Sequence, residues 1–545
     1  MTNSKLSKQE IIFLVITSLL LIIITSLPIV YGYINRNDLY YNGMHILSPM
    51  DAPVYLSYIQ QVKQGHILLA DLFTTESDMP ALFNPFWLAV GLIAKIFNLA
   101  APLAFHLVRI ILIPIFLFSL YKFISLFLSE YAAKRKMFCL VYSIFATGLG
   151  FFYTMFFGLN LLSSSDINLP MDLWVPESSN FLIMFSMPHF IASITLIILT
   201  FYFFFLALER KKISLIVISG LLALSLFSFH PFFAGTIYFV AFSYLICLFI
   251  KNRKIELDLI LYFFCLVMIS SPALYYYYYQ LSTSLALQFK NIQNICVTPG
   301  GQYFFASYGL GLIFVAFTIV YLLGEKKITN KNLFLIVWLI ASISLIYSPI
   351  NFQRRLTEGL QIPLTLLAFI GFVLLVDALR QIWPIFKKIK FWMIVPFFIL
   401  LFCSSNIIVY IGDFRYIKVK PQVLYMPMEI KEALDWYQGQ TTMDQTILAS
   451  RYISNAIPGL IGRRIFSGHG VETVADGWKE QKVYWFFQNN EDDQAKQDFL
   501  RSNKIDYVLF SAKEEQLGTF MPQTKKYLEE VFNNESAAIY KVNLD

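Results

Sequence analysis

The chain has 545 residues, of which 57% are hydrophobic, 17% aromatic and only 14% charged, whereas soluble domains carry about a quarter charged residues. That balance excludes an ordinary soluble enzyme and describes a polytopic membrane protein. The formal charge of +7 is spread over Lys and Arg in short loops, where such residues set membrane orientation, so no nucleic-acid partner is indicated.

The first apolar run, Ile11 to Tyr31, matches the ~20 residues that cross a hydrocarbon core, and no small-residue cleavage site follows it. It reads as a retained signal anchor. Hydropathy predicts further spans at Ala101 to Leu128, Met137 to Gly158, Phe181 to Leu208, Ile213 to Phe229, Phe232 to Ile250, Leu257 to Tyr279, Tyr303 to Leu323, Leu333 to Ser348, Leu360 to Leu379 and Phe391 to Ile411, roughly eleven in all. The stretch Ala81 to Phe97 is also apolar, but "FNPFWLAVGLIAKIF" has a proline near its start and a lysine within it, so it is expected to lie in the interface or re-enter. With it left out, Lys5 and Lys8, "AAKRK", "ERKK", "KNRK", "GEKK" and "FKKIK" all fall on one side, which the positive-inside bias makes cytoplasmic. The N-terminus is then cytoplasmic. The first loop, the Asn160 to Asn180 loop, the His230-Pro231 hairpin, the Gln280 to Gln302 loop, "NFQRRLTEG" and the C-terminal region face outward.

Four of the five cysteines, Cys139, Cys247, Cys265, Cys296 and Cys403, fall within apolar runs, which leaves no disulfide framework or C-x-x-C metal knuckle. The five tyrosines Tyr275 to Tyr279 sit where a span leaves the bilayer and read as an interfacial aromatic belt. After Gly412 the composition is that of a soluble domain. "MEIKEALDWYQ", "DDQAKQDFLRSN" and "TKKYLEEVFNN" are predicted helices, and "TILAS", "DYVLFS" and "AAIYKV" predicted strands. The expected organisation is a mainly α transmembrane bundle over residues 1–411, its first outer loop spanning 33–98, followed by an extracytoplasmic α/β domain over 412–545.

Several outward residues invite a chemical reading. In "SPMDAPVYLSYIQQVKQG", Tyr55, Tyr58 and Val62 recur at helical spacing behind Asp51. Asp51 has two readings: the third position of a capped helix start led by Ser48 and Pro49, or a general base held at the membrane face to take a proton from an acceptor hydroxyl. Asp71, Glu76 and Asp78 read as solvated loop charges, although Glu76 or Asp78 can assist a cation or orient a sugar hydroxyl. His189 is expected two to three turns inside the span Phe181 to Leu208, where an ionisable group needs a cavity or a partner. Glu177 just precedes that span, and His230 occupies a tight hairpin next to Pro231. Two adjacent arginines on the outer face, Arg354 and Arg355, run against the positive-inside bias. A guanidinium fork suits a phosphate leaving group or a lipid headgroup. Glu358 stands four residues after Arg354 and three after Arg355, and Arg354 is expected to be the arginine left for a donor. No phosphate-cradling G-x-x-x-x-G-K-[ST], dinucleotide G-x-G-x-x-G or H-E-x-x-H is present, so a soluble nucleotide donor is not indicated.

Taken together, "MDAPVYLSYIQQVKQGHILLADLF" followed by "FNPF", then "VPESSNFLIMFSMPHF", "SFHPF", "NFQRRLTEGLQIPL" and "LASRYISNAIPGLIGRRIFSGHGVET" resemble bacterial members of the GT-C glycosyltransferase superfamily, which includes protein O-mannosyltransferases, aminoarabinose transferases and oligosaccharyltransferase catalytic subunits. The resemblance implies a polyprenyl-phosphate-linked sugar donor, transfer to a glycan, lipid or protein acceptor on the outer face of the cell membrane, and a catalytic base in the first outer loop, which falls on Asp51. The family's frequent paired acid is replaced here by "DAP". A divalent metal is possible but not required by the sequence. The tryptophan-rich sequon-binding signature is missing, which argues against N-glycosylation of peptides. The rival readings are a lipid or solute transporter, for which neither internal repeats nor paired broken helices are found, and a non-catalytic partner in envelope assembly.

Overall fold

The computed structural model describes residues 6–47, 49–76, 82–157, 168–383 and 399–544. The chain divides into two compact units, one made of residues 1–26, 109–275 and 295–412, the other of 27–108, 276–294 and 413–545.

Among the described residues, eight helical stretches are long and apolar enough to cross a membrane: Lys8–Ile34, Ala101–Phe127, Ala133–Phe157, Pro188–Arg210, Phe233–Asn252, Leu257–Thr283, Gly301–Gly324 and Gln353–Ile382. Two further expected spans are the shorter helices Ile213–Phe227 and Asn330–Ile346. The last expected span lies partly outside the described residues, as does "FKKIK". The helix Pro85–Ile96 has 12 residues, and at ~1.5 Å per residue it is too short to cross a ~30 Å core. Asn84 caps it by accepting from the Trp87 backbone N–H at 3.2 Å.

Breaks in the first unit depart from continuous spans. The expected span Phe181 to Leu208 is two helices, Asn180–Phe185 and Pro188–Arg210. Pro188 has no N–H and disfavours helical backbone at the preceding residue, and Met187 is accordingly extended. His189 therefore stands in the first turn of its helix rather than two to three turns inside a span. Helix Gly301–Gly324 is kinked at Gly309, whose φ of 39° and ψ of −120° suit glycine alone. Beside the kink, the Leu149 N–H bonds the Ala306 carbonyl at 2.6 Å.

The second unit joins the loop after the first apolar helix to the C-terminal region. Strand β1 (Leu39–Tyr41) pairs antiparallel with β2 (Tyr425–Pro427). Five further strands, β3 (Thr446–Leu448), β4 (Arg464–Ile465), β5 (Tyr507–Ser511), β6 (Leu528–Asn533) and β7 (Ala537–Val542), form a sheet in the order β4-β3-β5-β7-β6. The pairs β3–β4 and β3–β5 are parallel, and β7 runs antiparallel to both of its neighbours. Helices Asp476–Gln488 and Asp493–Ser502 bring Phe486, Phe487, Phe499 and Leu500 into a core with Leu448, Val508 and Tyr540. The expected helix "TKKYLEEVFNN" is instead strand β6. The side chain of Asn534 accepts from the backbone N–H groups of Ser536 and Ala537 at 3.1 and 2.9 Å, an Asx turn that closes a hairpin and commits Leu528–Asn533 to β7.

Candidate active site

Asp51 stands immediately before helix Ala52–Lys63, whose first turn contains Pro53, a position where proline loses no helical hydrogen bond. Its carboxylate makes no hydrogen bond to the first turn of that helix; the capped start led by Ser48 falls on a residue outside the described ones. The helix start is clamped by helix Arg451–Ile461. A Cβ on Gly459 would come within 2.9 Å of the Pro53 backbone, so the two helices meet where only glycine fits. Gln60 and Gln64 donate to the carbonyls of Leu460 and Ile461 at 2.6 and 3.1 Å, and Asn455 donates to the Met50 carbonyl at 3.2 Å.

The Asp51 side chain is 53% exposed, and its Oδ1 lies 3.3 Å from Nε2 of His469, whose side chain is 6% exposed. His469 Nδ1 accepts from the backbone N–H groups of Val471 and Glu472 at 3.2 and 3.1 Å. Nδ1 is thereby the unprotonated nitrogen and Nε2 carries the proton that points at Asp51. The Phe73 ring lies edge-on to the imidazole with centroids 5.6 Å apart. Thr473 ties the loop to the first outer loop by donating to the Phe73 carbonyl at 2.9 Å. From helix Leu285–Gln293, Lys290 pairs with Glu472 at 2.6 Å, and Gln293 donates to the carbonyls of Val471 and Thr473.

The acids downstream of Asp51 divide. Asp71, expected to be solvated, accepts from the Phe73 N–H at 2.9 Å. Burial and then the Glu472 carboxylate push it up to about 7 against the pull of Lys290. Glu76 pairs with Lys479 at 2.6 Å and takes a bond from the Thr74 hydroxyl. Burial alone would raise Glu76, but the bonds from Lys479 and Thr74 hold it below the usual carboxylate value. Asp78 lies outside the described residues.

The remaining sequence-predicted residues belong to the first unit, and it brings them close to one another. Arg354 and Arg355 lie on the 3₁₀ segment Gln353–Thr357, against which the segment Pro176–Ser178, carrying buried Glu177, packs. The Arg354 guanidinium stacks on the Trp174 ring, 4.4 Å from its centroid, and its Nε is buried with no hydrogen-bond partner among the described residues. His189 and His230 meet ring to ring, nearly perpendicular, with centroids 5.2 Å apart. Burial and then the Arg355 charge push His230 down to about 3, which keeps it neutral at physiological pH. Glu358 takes a hydrogen bond from Ser193. The 3₁₀ turn removes the α-helical spacing on which the expected pairing of Glu358 with one of the two arginines rested.

Three features went unread in the sequence. His469 touches an acid 418 residues away, a contact that only folding creates. The Lys290–Glu472 pair was hidden for the same reason. Asp172 is a buried carboxylate that accepts from the Gly148 and Gly150 N–H groups at 3.1 and 3.4 Å and is pushed up to about 7 by burial. Among the described residues no three His, Cys, Asp or Glu side chains converge as a metal site.

The sequence matches no family model and no curated protein. Solved structures do match. The archaeal oligosaccharyltransferase AglB from Archaeoglobus fulgidus, in complex with an inhibitory peptide and a dolichol-phosphate, aligns with a TM-score of 0.53 at 11% identity over 91% of this chain and 70% of that one. ArnT from Cupriavidus metallidurans, bound to undecaprenyl phosphate, aligns with a TM-score of 0.51 at 9% identity over 95% of this chain and 97% of that one. This is the GT-C glycosyltransferase fold. The arabinofuranosyltransferase AftD from Mycobacteria shares it, with a TM-score of 0.52 at 11% identity over 100% of this chain and 42% of that longer one. Within the GT-C fold the chain is multi-pass, and its apolar helices place it in a membrane.

Proposed function

We propose that the protein is an inverting glycosyltransferase that moves a hexosyl or pentosyl group from a polyprenyl-phosphate carrier to an acceptor hydroxyl on the outer face of the membrane. The observation that carries this reading is Asp51, a half-exposed carboxylate at a rigid helix start beside His469, in a chain with the GT-C fold. Asp51 takes the proton of the acceptor hydroxyl as that oxygen bonds to the anomeric carbon. The bond from the anomeric carbon to the carrier phosphate breaks with its electron pair on the phosphate oxygen, so polyprenyl phosphate leaves. A single displacement inverts the anomeric configuration.

Arg354, with Arg355 beside it, receives the donor phosphate. The Arg354 plane is held by Trp174, and its buried Nε still lacks an acceptor; a phosphate oxygen satisfies it with a charge-assisted bond. Glu177, His189 and His230 line the same neighbourhood as substrate-orienting groups. The N-terminus is cytoplasmic and the C-terminal domain extracytoplasmic. The test is turnover by the reconstituted protein with a panel of polyprenyl-phosphate hexoses and pentoses and hydroxyl-bearing glycan, lipid and peptide acceptors. One donor should release polyprenyl phosphate and give a glycoside of opposite anomeric configuration. Retention of configuration overturns the single displacement, and no release with any donor overturns the function.

A further inference from the structure

Beyond the residues read from the sequence, the second unit aims one buried side chain at Asp51. We infer that His469 is a positioning residue that fixes the Asp51 carboxylate through Oδ1 for its meeting with the acceptor hydroxyl. This inference rests on the reading of Asp51 as the base.

Three observations point the same way. The two backbone N–H groups of Val471 and Glu472 fill the Nδ1 lone pair, so the ring presents Nε2–H to Oδ1. The ring cannot swing away, because Phe73 covers it and the residues on either side are bonded in place: the Gly468 and His469 N–H groups donate to the Thr473 hydroxyl at 3.2 Å each. The loop is also fastened from a third element, helix Leu285–Gln293, through Lys290 and Gln293. A histidine that served only as packing would not need its tautomer set. The 3.3 Å separation is at the long end for such a bond, and contacts of this kind tighten when substrate closes the site. Fixing Asp51 in one rotamer lowers the entropic cost of aligning the base with the hydroxyl.

The charged groups around the imidazole are Asp51, Asp71 and Glu472, with Lys290 paired to Glu472 and Arg451 beside Gly470. The first experiment reads the contact without turnover. In full-length protein carrying ¹⁵N-histidine, the His469 resonance, one of six histidines and identified by its loss in His469→Gln, should show protonated Nε2 and unprotonated Nδ1. The opposite tautomer overturns the inference.

The second experiment uses the amide side chains as partial imidazoles. Glutamine places an N–H where Nε2 stood, whereas asparagine places one only where Nδ1 stood. With whichever polyprenyl-phosphate sugar the panel identifies, His469→Asn should lose about 10–100-fold in kcat with donor KM unchanged, the range seen when an orienting partner is lost. His469→Gln should stay within a few-fold of the parent. Equal activity in the two variants, whether both normal or both impaired, overturns positioning. Asp51→Asn with normal turnover would instead remove the base reading and leave the resonance result standing, so the two failures are told apart.

Discussion

At Arg354 a planar guanidinium sits over the Trp174 ring while its Nε is buried with no hydrogen-bond partner among the described residues. Both features belong to arginine, since lysine offers neither a plane to stack nor a fork to chelate. Arg354→Lys is therefore expected to weaken donor binding about 10- to 100-fold, the equivalent of ~1.5–3 kcal/mol for a hydrogen bond to a charged group. Binding of undecaprenyl phosphate to the purified variant measures it, and affinity equal to the parent's would make the pair a headgroup anchor. Asp172 carries a prediction about pH. The folded protein keeps a proton on it up to about pH 7, whereas in the unfolded chain an aspartate loses it near pH ~4. Stability therefore falls as pH rises from about 4 to about 7 and then levels off. Asp172→Asn can still accept from Gly148 and Gly150 and removes that fall. It should be more stable than the parent at pH 8, by about 1–4 kcal/mol, and no more stable at pH 4. Thermal unfolding of both proteins at the two pH values measures this, and an equal difference at both would contradict it.

At the scale of elements, the apolar runs and their loops were legible because hydropathy needs only local sequence. The twelve-residue helix Pro85–Ile96 was legible too, from the proline and lysine that bound its length. The break at Pro188 was not, because the run Phe181 to Leu208 is apolar enough to read as one span, and a proline inside a span kinks a helix as often as it divides it. Strand β6 was misread as a helix for a different reason. Its Lys- and Glu-rich sequence favours helix locally, but pairing with β7 overrides that preference. Asp51 could be found by eye in "SPMDAPVY", whereas its partner His469 could not, since nothing in "SGHGVET" points 418 residues upstream. The clamp on Asp51 is also testable as an element. Gly459→Ala puts a methyl group within 2.9 Å of the Pro53 backbone and pushes helices Ala52–Lys63 and Arg451–Ile461 apart. It should cost ~1–3 kcal/mol as overpacking does, and turnover should fall more than the loss of folded protein explains. Normal turnover and melting temperature would show that the close approach is not needed.

For the whole molecule, the loop after the first apolar helix and the C-terminal region fold as parts of one unit, so both must reach the same side of the membrane. A reporter fused after Asp545 should behave as extracytoplasmic, and a cytoplasmic signal would overturn the orientation along with the outer-face chemistry. The transferase, transporter and assembly readings share this topology and differ in one demand, that Asp51 take a proton. The measurement that decides among them is turnover by Asp51→Asn in reconstituted membranes, with a polyprenyl-phosphate sugar the parent uses and with folding checked by melting temperature. A well-folded variant whose rate falls about 10²- to 10⁴-fold, as when a general base is lost, is the expected result; a well-folded variant with near-normal turnover would contradict it.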